Sequence, residues 1–417
     1  MGRRTDGELD AWLGRHARRL EALTPGAPTE DLRPLGAALR DVRVVGLGEA
    51  THGTRELFRL KHRLVEFLVT ELGFTALAME APAAAADAVD AYVRGGSGDG
   101  ARALDGLGFW IWRTHELLDL VEWLRRWNRG RPPARQVGFT GIDVQQCGPS
   151  LVVLDALLRE AAPGRIADLL DPLRPSATAA PGSRPDPEGR LLALAEELAA
   201  LVAAVAPADT HALRHARLLR AAVDLVGRER RHRDPERTAW AVRDAYMAEA
   251  VDGLLADPAA KVVVWAHNSH VTQASWRGTW PTLGSRLRAR YGEAYYALAL
   301  LLGRGGFRAR RTWPGPWTSP APGPIAVHRL GRAPAGTVEA RLLAAAPGDR
   351  LLDLRGAADA PPEVRRWLHD PQGVREFGAL APRWSHRFQR APVVLGACYD
   401  GVALVAEGSA SRPLERG

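Results

Sequence analysis

The stretch Asp41–Thr54, DVRVVGLGEATHGT, decides the fold. Its first half is a short Val-rich run, Val42–Leu47, and its second half delivers Glu49 and His52 between glycines. A tight turn needs the glycines, but it has no need of a carboxylate and an imidazole three residues apart. A short apolar run bounded by Gly reads as a strand buried on both faces, as in parallel sheets. Three more runs share the pattern: Phe74–Met79 meets Glu80, QVGFTGID ends on Asp143, and Lys261–Ala266 passes into His267 and His270. Between the first two runs lies TRELFRLKHRLVEFLVTELG. Its Leu57, Leu60, Leu64, Phe67, Leu68 and Leu72 recur at helical spacing, and Gly73 stands ready as a C-terminal cap. Strand, helix and strand within about 35 residues make a βαβ unit.

In open parallel sheets, ligands bind beyond the carboxyl ends of the strands. Each of the four polar clusters falls at such an end. One acidic residue after a strand says little, because loops are polar anyway. Four strand ends that together supply Glu49, His52, Glu80, Asp143, His267 and His270 point to a site.

The expected fold class is therefore α/β: a mostly parallel central sheet flanked by helices, with a helical insertion and a C-terminal α/β portion. Residues 1–149 form an N-terminal half carrying the Glu/His loop, 150–257 the insertion, and 258–417 the half that completes the sheet and site. The insertion reads as the helices LVVLDALLREAA, a Leu/Ala helix near 191–206, HALRHARLLRAAVDLVGRER and PERTAWAVRDAYMAEAVDGLLA. The Pro/Ser/Gly-rich RPSATAAPGSRPDPEGR between them is expected to be mobile. After the insertion come a helix GSRLRARYG, a strand YYALALLL, and long loops from 306 to about 340. The end reads as a strand LLDLR, a helix PPEVRRWL, and a hairpin in VVLGACYDGVALVAE turning at Asp400-Gly401.

Composition narrows the function. The chain has 417 residues and 46% hydrophobic content, enough for a sizeable core. A net charge of +8 would ordinarily raise nucleic-acid binding. Here the positive charge is almost all Arg, spread along the whole length, and Lys61 and Lys261 are the only lysines. Without a basic block interleaved with aromatics, neither a nucleic-acid nor a membrane partner is expected. The basic start is not followed by an apolar segment, so it does not read as a secretory signal. Cys147 and Cys398 read as free thiols of a reducing compartment, and the expectation is a cytoplasmic, monomeric protein.

Each candidate residue has a functional reading and a plain one. His52 beside Glu49 suits a general base whose tautomer the carboxylate fixes, or else Glu49 caps the next helix and His52 is solvated. Glu80 near Glu49 would form a carboxylate pair; otherwise it salt-bridges one of many arginines. Asp143 as readily holds a loop as contacts a ligand. His267 and His270 suit a metal pair or a positioning and electrophilic pair; alternatively one packs in the core while Asn268 or Ser269 caps the next element. Lys61 lies nine residues past His52 on the helix, where lysines are usually solvated. Trp110 and Trp112, preceding a helix, could line an apolar pocket for a bulky ligand, whereas Trp123 and Trp127 read as core. A nucleotide-binding GxGxxG after a strand, a Walker loop, a GxSxG elbow and a CxxC are all absent from the sequence.

GEATHGTRELFRLKHRLVEFLVTELGFTALAMEAP resembles the opening of the erythromycin esterase family. WIWRTHELLDLVEWLRRWN, GIDVQ, RDAYMAE and WAHNSHV are similar to its later blocks, in the same order, with a weaker tail through GTVEARLL and LLDLR. The resemblance implies a hydrolase of an ester or lactone that needs no cofactor, although metal-dependent members of the wider superfamily leave a divalent metal open. His52 matches the histidine that activates water, Glu49 and Glu80 its acidic companions, and His267 and His270 the histidines of the AHNxH block. Lys61 falls where macrolide esterases carry an arginine, keeping the charge without the bidentate geometry. The resemblance thus gives His52, Glu49, Glu80, His267 and Lys61 catalytic roles, with His267 and Lys61 facing developing negative charge. His270, Trp110, Trp112 and Asp143 are assigned to a bulky natural-product substrate. Two rivals remain open: a tailoring enzyme that rearranges a metabolite with the same acid–base cluster, and a protein that binds a small molecule without chemistry.

Overall fold

Four short apolar runs become neighbouring strands whose ends line up. The structure is a computed structural model and describes residues 2–276, 278–312, 323–357 and 359–415, with side chains from residue 7 onward. Its strands are β1 (Arg18–Arg19), β2 (Val44–Leu47), β3 (Ala76–Pro82), β4 (Gly138–Asp143), β5 (Val262–Trp265), β6 (Tyr295–Leu302) and β7 (Gly305–Thr312). They continue as β8 (Ile325–Leu330), β9 (Arg350–Asp353), β10 (Gln372–Val374), β11 (Leu380–Pro382), β12 (Ala391–Val393) and β13 (Gly401–Val405). Eight of them form one sheet in the order β1-β9-β13-β6-β2-β5-β3-β4. Every pairing from β13 to β4 is parallel, while β13–β9 and β9–β1 are antiparallel. The α/β class with a mostly parallel sheet is thus what the chain adopts.

The register places the site. Leu47 and Met79 both pair with Trp265, and Met79 also pairs with Gly141. The residues that follow these positions therefore leave the sheet side by side. The expected βαβ unit is split, because β5 lies between β2 and β3.

Alternation along the strands feeds two cores. On one face Val45, Leu47, Leu77, Met79 and Trp265 pack with Leu57, Phe58 and Leu64 of helix Arg55–Leu72. That helix ends where expected, at Gly73 with φ 71°. On the other face Val44, Ala78, Val262 and Val264 pack with Met247, Ala248 and Val251 of helix Ala239–Leu254. Helices Gly148–Ala161, Arg190–Val205 and Thr210–Gly227 share a separate core of Leu154, Leu158, Leu198, Val202, Leu219 and Val223. Among the described residues, no helix is long and apolar enough to cross a membrane.

Three local readings need correction. The Pro/Gly-rich segment 174–190 is pinned rather than mobile. The amides of Gly182, Arg184 and Asp186 donate to the carbonyls of Leu225, Val226 and Gly227 at 3.1–3.2 Å. The region from 306 to 340 is not all loop: β7 pairs antiparallel with β8 and parallel with β11. Its alternation is real, with Phe307 and Ala309 buried, but arginines at the outward positions disguise it. Residues 313–322 of that region lie outside the described residues. Nor does the chain turn back at Asp400-Gly401. Leu395–Cys398 forms a helical turn, and β13 enters the main sheet between β9 and β6. Buried Asp400 steers it there, accepting from the Ala297 amide at 2.8 Å and from Arg355 Nε at 2.7 Å.

The opening glycines are explained by close approach. A Cβ on Gly48 would lie 2.1 Å from Asn268 Oδ1, and one on Gly53 would lie 2.1 Å from the Arg308 carbonyl oxygen. Backbone cannot step aside as a side-chain tip can. Gly53→Ala should therefore cost about 1–3 kcal/mol, typical of overpacking a tight contact. Urea unfolding measures it, and an unchanged midpoint would contradict the contact.

Candidate active site

Glu49 leaves β2 beside the fully buried Lys61. One carboxylate oxygen accepts from Lys61 Nζ at 2.7 Å, and the other contacts His52 Nδ1 at 2.7 Å. Lys61 also donates to the Ala266 carbonyl at 3.2 Å and lies 4.3 Å from the Trp265 ring centroid. Burial pushes the lysine pKa down to about 8, against the opposing pull of Glu49 and Glu80. An ionised carboxylate only accepts, so His52 carries its proton on Nδ1 and keeps a lone pair on Nε2. No hydrogen bond to that Nε2 forms among the described residues. Trp112, fully buried, meets the His52 ring edge-on with centroids 6.0 Å apart.

A second charged cluster lies next to the first. Glu80 accepts from the His267 amide at 2.9 Å, from Arg243 Nη2 at 2.8 Å, and faces His270 Nε2 at 3.2 Å. Burial would raise its pKa, yet the charges of His270 and Arg243 hold it well below the usual carboxylate range. Arg243 also binds Asp143 through two contacts, at 2.7 and 3.2 Å. His270 Nδ1 meets Asp244 at 2.7 Å. Burial opposes the imidazolium, but Asp244 and Glu80 prevail and lift its pKa to about 10.

His267 caps its own helical turn, its Nδ1 accepting the Ser269 amide at 3.2 Å. That leaves Nε2 to donate to the Phe377 carbonyl at 3.1 Å. Burial and the neighbouring His52 keep this ring neutral, with its pKa well below the usual imidazole value. Its centroid lies 4.9 Å from that of His52. Asn268 instead bridges to β6, exchanging hydrogen bonds with both backbone groups of Leu300.

The structure thus brings Glu49, His52, Lys61, Glu80, Asp143, His267, His270 and Trp112 into one contiguous cluster. The direct roles expected for three of them meet a different geometry. Lys61 is enclosed, and its ammonium faces Glu49. Asp143 is enclosed and holds Arg243. Both ring nitrogens of His267 are engaged. Trp110 stands with Arg308, whose guanidinium lies 5.2 Å from its ring centroid. Arg308 is half-buried on β7, next to the histidine loop, and its amide donates to the Gly53 carbonyl at 3.0 Å. At this site no three His, Cys, Asp or Glu ligand atoms lie within 4.8 Å of one another among the described residues.

Sequence reasoning quoted RDAYMAE as a matching block but gave Arg243 and Asp244 no role. In a chain with this much arginine, one more on a helix looks solvated. Helical phase carried the missing signal: Asp244 falls three, four and seven residues before the buried Met247, Ala248 and Val251. Arg308 and Phe377 sit in segments that carried no expectation of a role.

Comparisons with known proteins agree with this architecture. The erythromycin esterase family model matches residues 69–408, beginning after the Glu49–His52 loop. Erythromycin esterase type II of Escherichia coli is 32% identical over 124 residues, 29% of this chain and 28% of that protein's own length. The chain therefore aligns with less than a third of that relative. A solved succinoglycan biosynthesis protein superposes with a TM-score of 0.80 at 21% identity, over 99% of this chain and 100% of that one. A mutant of the erythromycin esterase EreC in its open conformation superposes with a TM-score of 0.66 at 19% identity, over 93% and 96%. At such identities these structures speak for the fold alone. The family match spans most of the chain, and on it this protein belongs to the erythromycin esterase family.

Proposed function

We propose that the protein hydrolyses an ester or lactone of a bulky natural product, with His52 activating the attacking water. One observation carries this reading: the buried line Lys61–Glu49–His52, with both contacts at 2.7 Å and Nε2 left unbonded at its end. A neutral imidazole whose Nδ1–H is held by a carboxylate is a base at Nε2. Water adds to the carbonyl carbon as Nε2 takes its proton. Glu49 then stabilises the imidazolium, and ionised Glu80 adds a second negative charge nearby. When the tetrahedral intermediate collapses, the proton passes from Nε2 to the departing alkoxide, giving a carboxylic acid and an alcohol. Lys61 keeps Glu49 ionised and fixed, which makes it a positioning residue. Trp110 and Arg308 offer an aromatic face and a cation beside the histidine loop, suited to a large oxygen-rich substrate. The names of relatives make a macrolide lactone the first substrate to try.

Three measurements test this reading. His52→Gln should lower kcat by about 10²–10⁴-fold with the circular dichroism spectrum unchanged, the usual cost of losing a general base. Turnover in H₂¹⁸O should place label in the acid product. Product formed without label would reassign His52 to proton abstraction from the substrate, the chemistry of a tailoring enzyme.

The pH profile tests the buried lysine. The protonated amine is the form that holds Glu49, and its pKa lies near 8. Activity should therefore fall as pH rises through about 8, and Lys61→Arg should move that limb upward because guanidinium does not titrate there. A limb that stays put in the arginine variant would remove Lys61 from the relay.

A further inference from the structure

Outside the candidate site, one cluster joins the helical insertion to the sheet body. His211 and His215 stand four apart on helix Thr210–Gly227, which puts both on one face. Opposite them is Asp87, the first residue of helix Asp87–Val93, seven positions past Glu80. Among the described residues, these three form the sole group of His, Cys, Asp or Glu ligand atoms lying within 4.8 Å of one another.

The separations suit a cation site, although the shortest of them is also within hydrogen-bond range. The two Nε2 atoms are 3.1 Å apart, and Asp87 Oδ2 lies 3.5 Å from His211 Nε2 and 3.4 Å from His215 Nε2. The two carboxylate distances are long for hydrogen bonds, which centre near about 2.9 Å. All three match the edge of a tetrahedron around a metal with bonds of about 2.0–2.1 Å, which is about 3.3 Å. The supporting contacts also suit a ligand set. Ser150 Oγ, itself buried, meets His215 Nδ1 at 2.9 Å, so that nitrogen can carry the proton and leave Nε2 its lone pair. Arg214 holds both Asp87 oxygens at 2.7 Å and donates to the Ala83 carbonyl at 2.8 Å, fixing the carboxylate in place.

We propose that Asp87, His211 and His215 bind one Zn²⁺, which clips the helical insertion to the connection leaving β3. Two imidazoles and one carboxylate favour zinc over magnesium or calcium, which take oxygen ligands. The exposed side of His211 and Asp87 leaves room for water as the fourth ligand. The clip is separate from the hydrolytic reading, which routes no step through a metal.

Untagged protein, stripped of metal and reloaded, tests it. Wild type should retain one equivalent of Zn²⁺ after dialysis, and Co²⁺ in its place should give the visible absorption of a tetrahedral ion. Zinc should also raise the thermal midpoint. His211→Ala should weaken zinc binding at least tenfold and abolish the thermal shift. Its side chain is 57% exposed, so the fold should survive. Asp87→Asn should act the same way, and Ser150→Ala should weaken binding about 10–100-fold, the usual range for a supporting contact. No zinc uptake by the wild type would overturn the proposal. So would uptake that survives His211→Ala but is lost in His52→Gln, because the ion would then belong to the catalytic cluster.

Discussion

The alignment of strand ends is the constraint on which the site depends. Leu47, Trp265, Met79 and Gly141 share one level across β2, β5, β3 and β4. One or two residues further, Glu49, His267, Glu80 and Asp143 emerge together, although Glu49 and His267 are 218 residues apart in the chain. A one-residue slip of any strand would swap its two faces and turn its end residue away. The register is protected because both faces are buried in separate cores. Packing that stabilises the sheet therefore also fixes the geometry of the candidate site.

Charge accounting explains why so many ionisable groups can be buried in one place. Lys61 and Glu49 neutralise each other. In the neighbouring cluster Glu80, Asp143 and Asp244 interleave with Arg243 and His270, so each acidic group faces a basic one. Taking each ion out of water costs several kcal/mol, and a buried pair regains this only with good geometry and further hydrogen bonds. Such a network is thus a poor source of stability and a good source of field. His267 lies close to His52, with Glu376 Oε1 3.5 Å from its Nδ1, and burial together with the His52 charge keeps its ring neutral.

The sheet and most of the cluster were legible because strand-end chemistry in a parallel sheet is a local pattern. Glu49, Glu80, Asp143 and His267 close or closely follow short apolar runs, with His52 and His270 each three residues beyond. What was not legible depends on long-range contact. Asp143 and His270 have partners on helix Ala239–Leu254, about 100 and 26 residues away, and nothing near them in sequence announces Arg243 or Asp244. The strand at Gly305–Thr312 was missed for another reason: Arg308 and Arg310 occupy the outward positions that usually carry neutral β-formers. The turn at Asp400 looked like a hairpin because local propensity says nothing of the Ala297 amide that claims its carboxylate.

Lys61 shows how the phase of a helix can outweigh the polarity of a residue. It lies four residues after Leu57 and three before Leu64, inside the apolar stripe, where a solvated lysine cannot stand. The ammonium is compact: its donors reach Glu49 and the Ala266 carbonyl, and the nitrogen itself stands over the Trp265 ring. A guanidinium would keep the charge but offer a planar fork in place of a compact donor. With lysine at this position the cation contacts a single carboxylate oxygen, and the other oxygen holds the His52 ring.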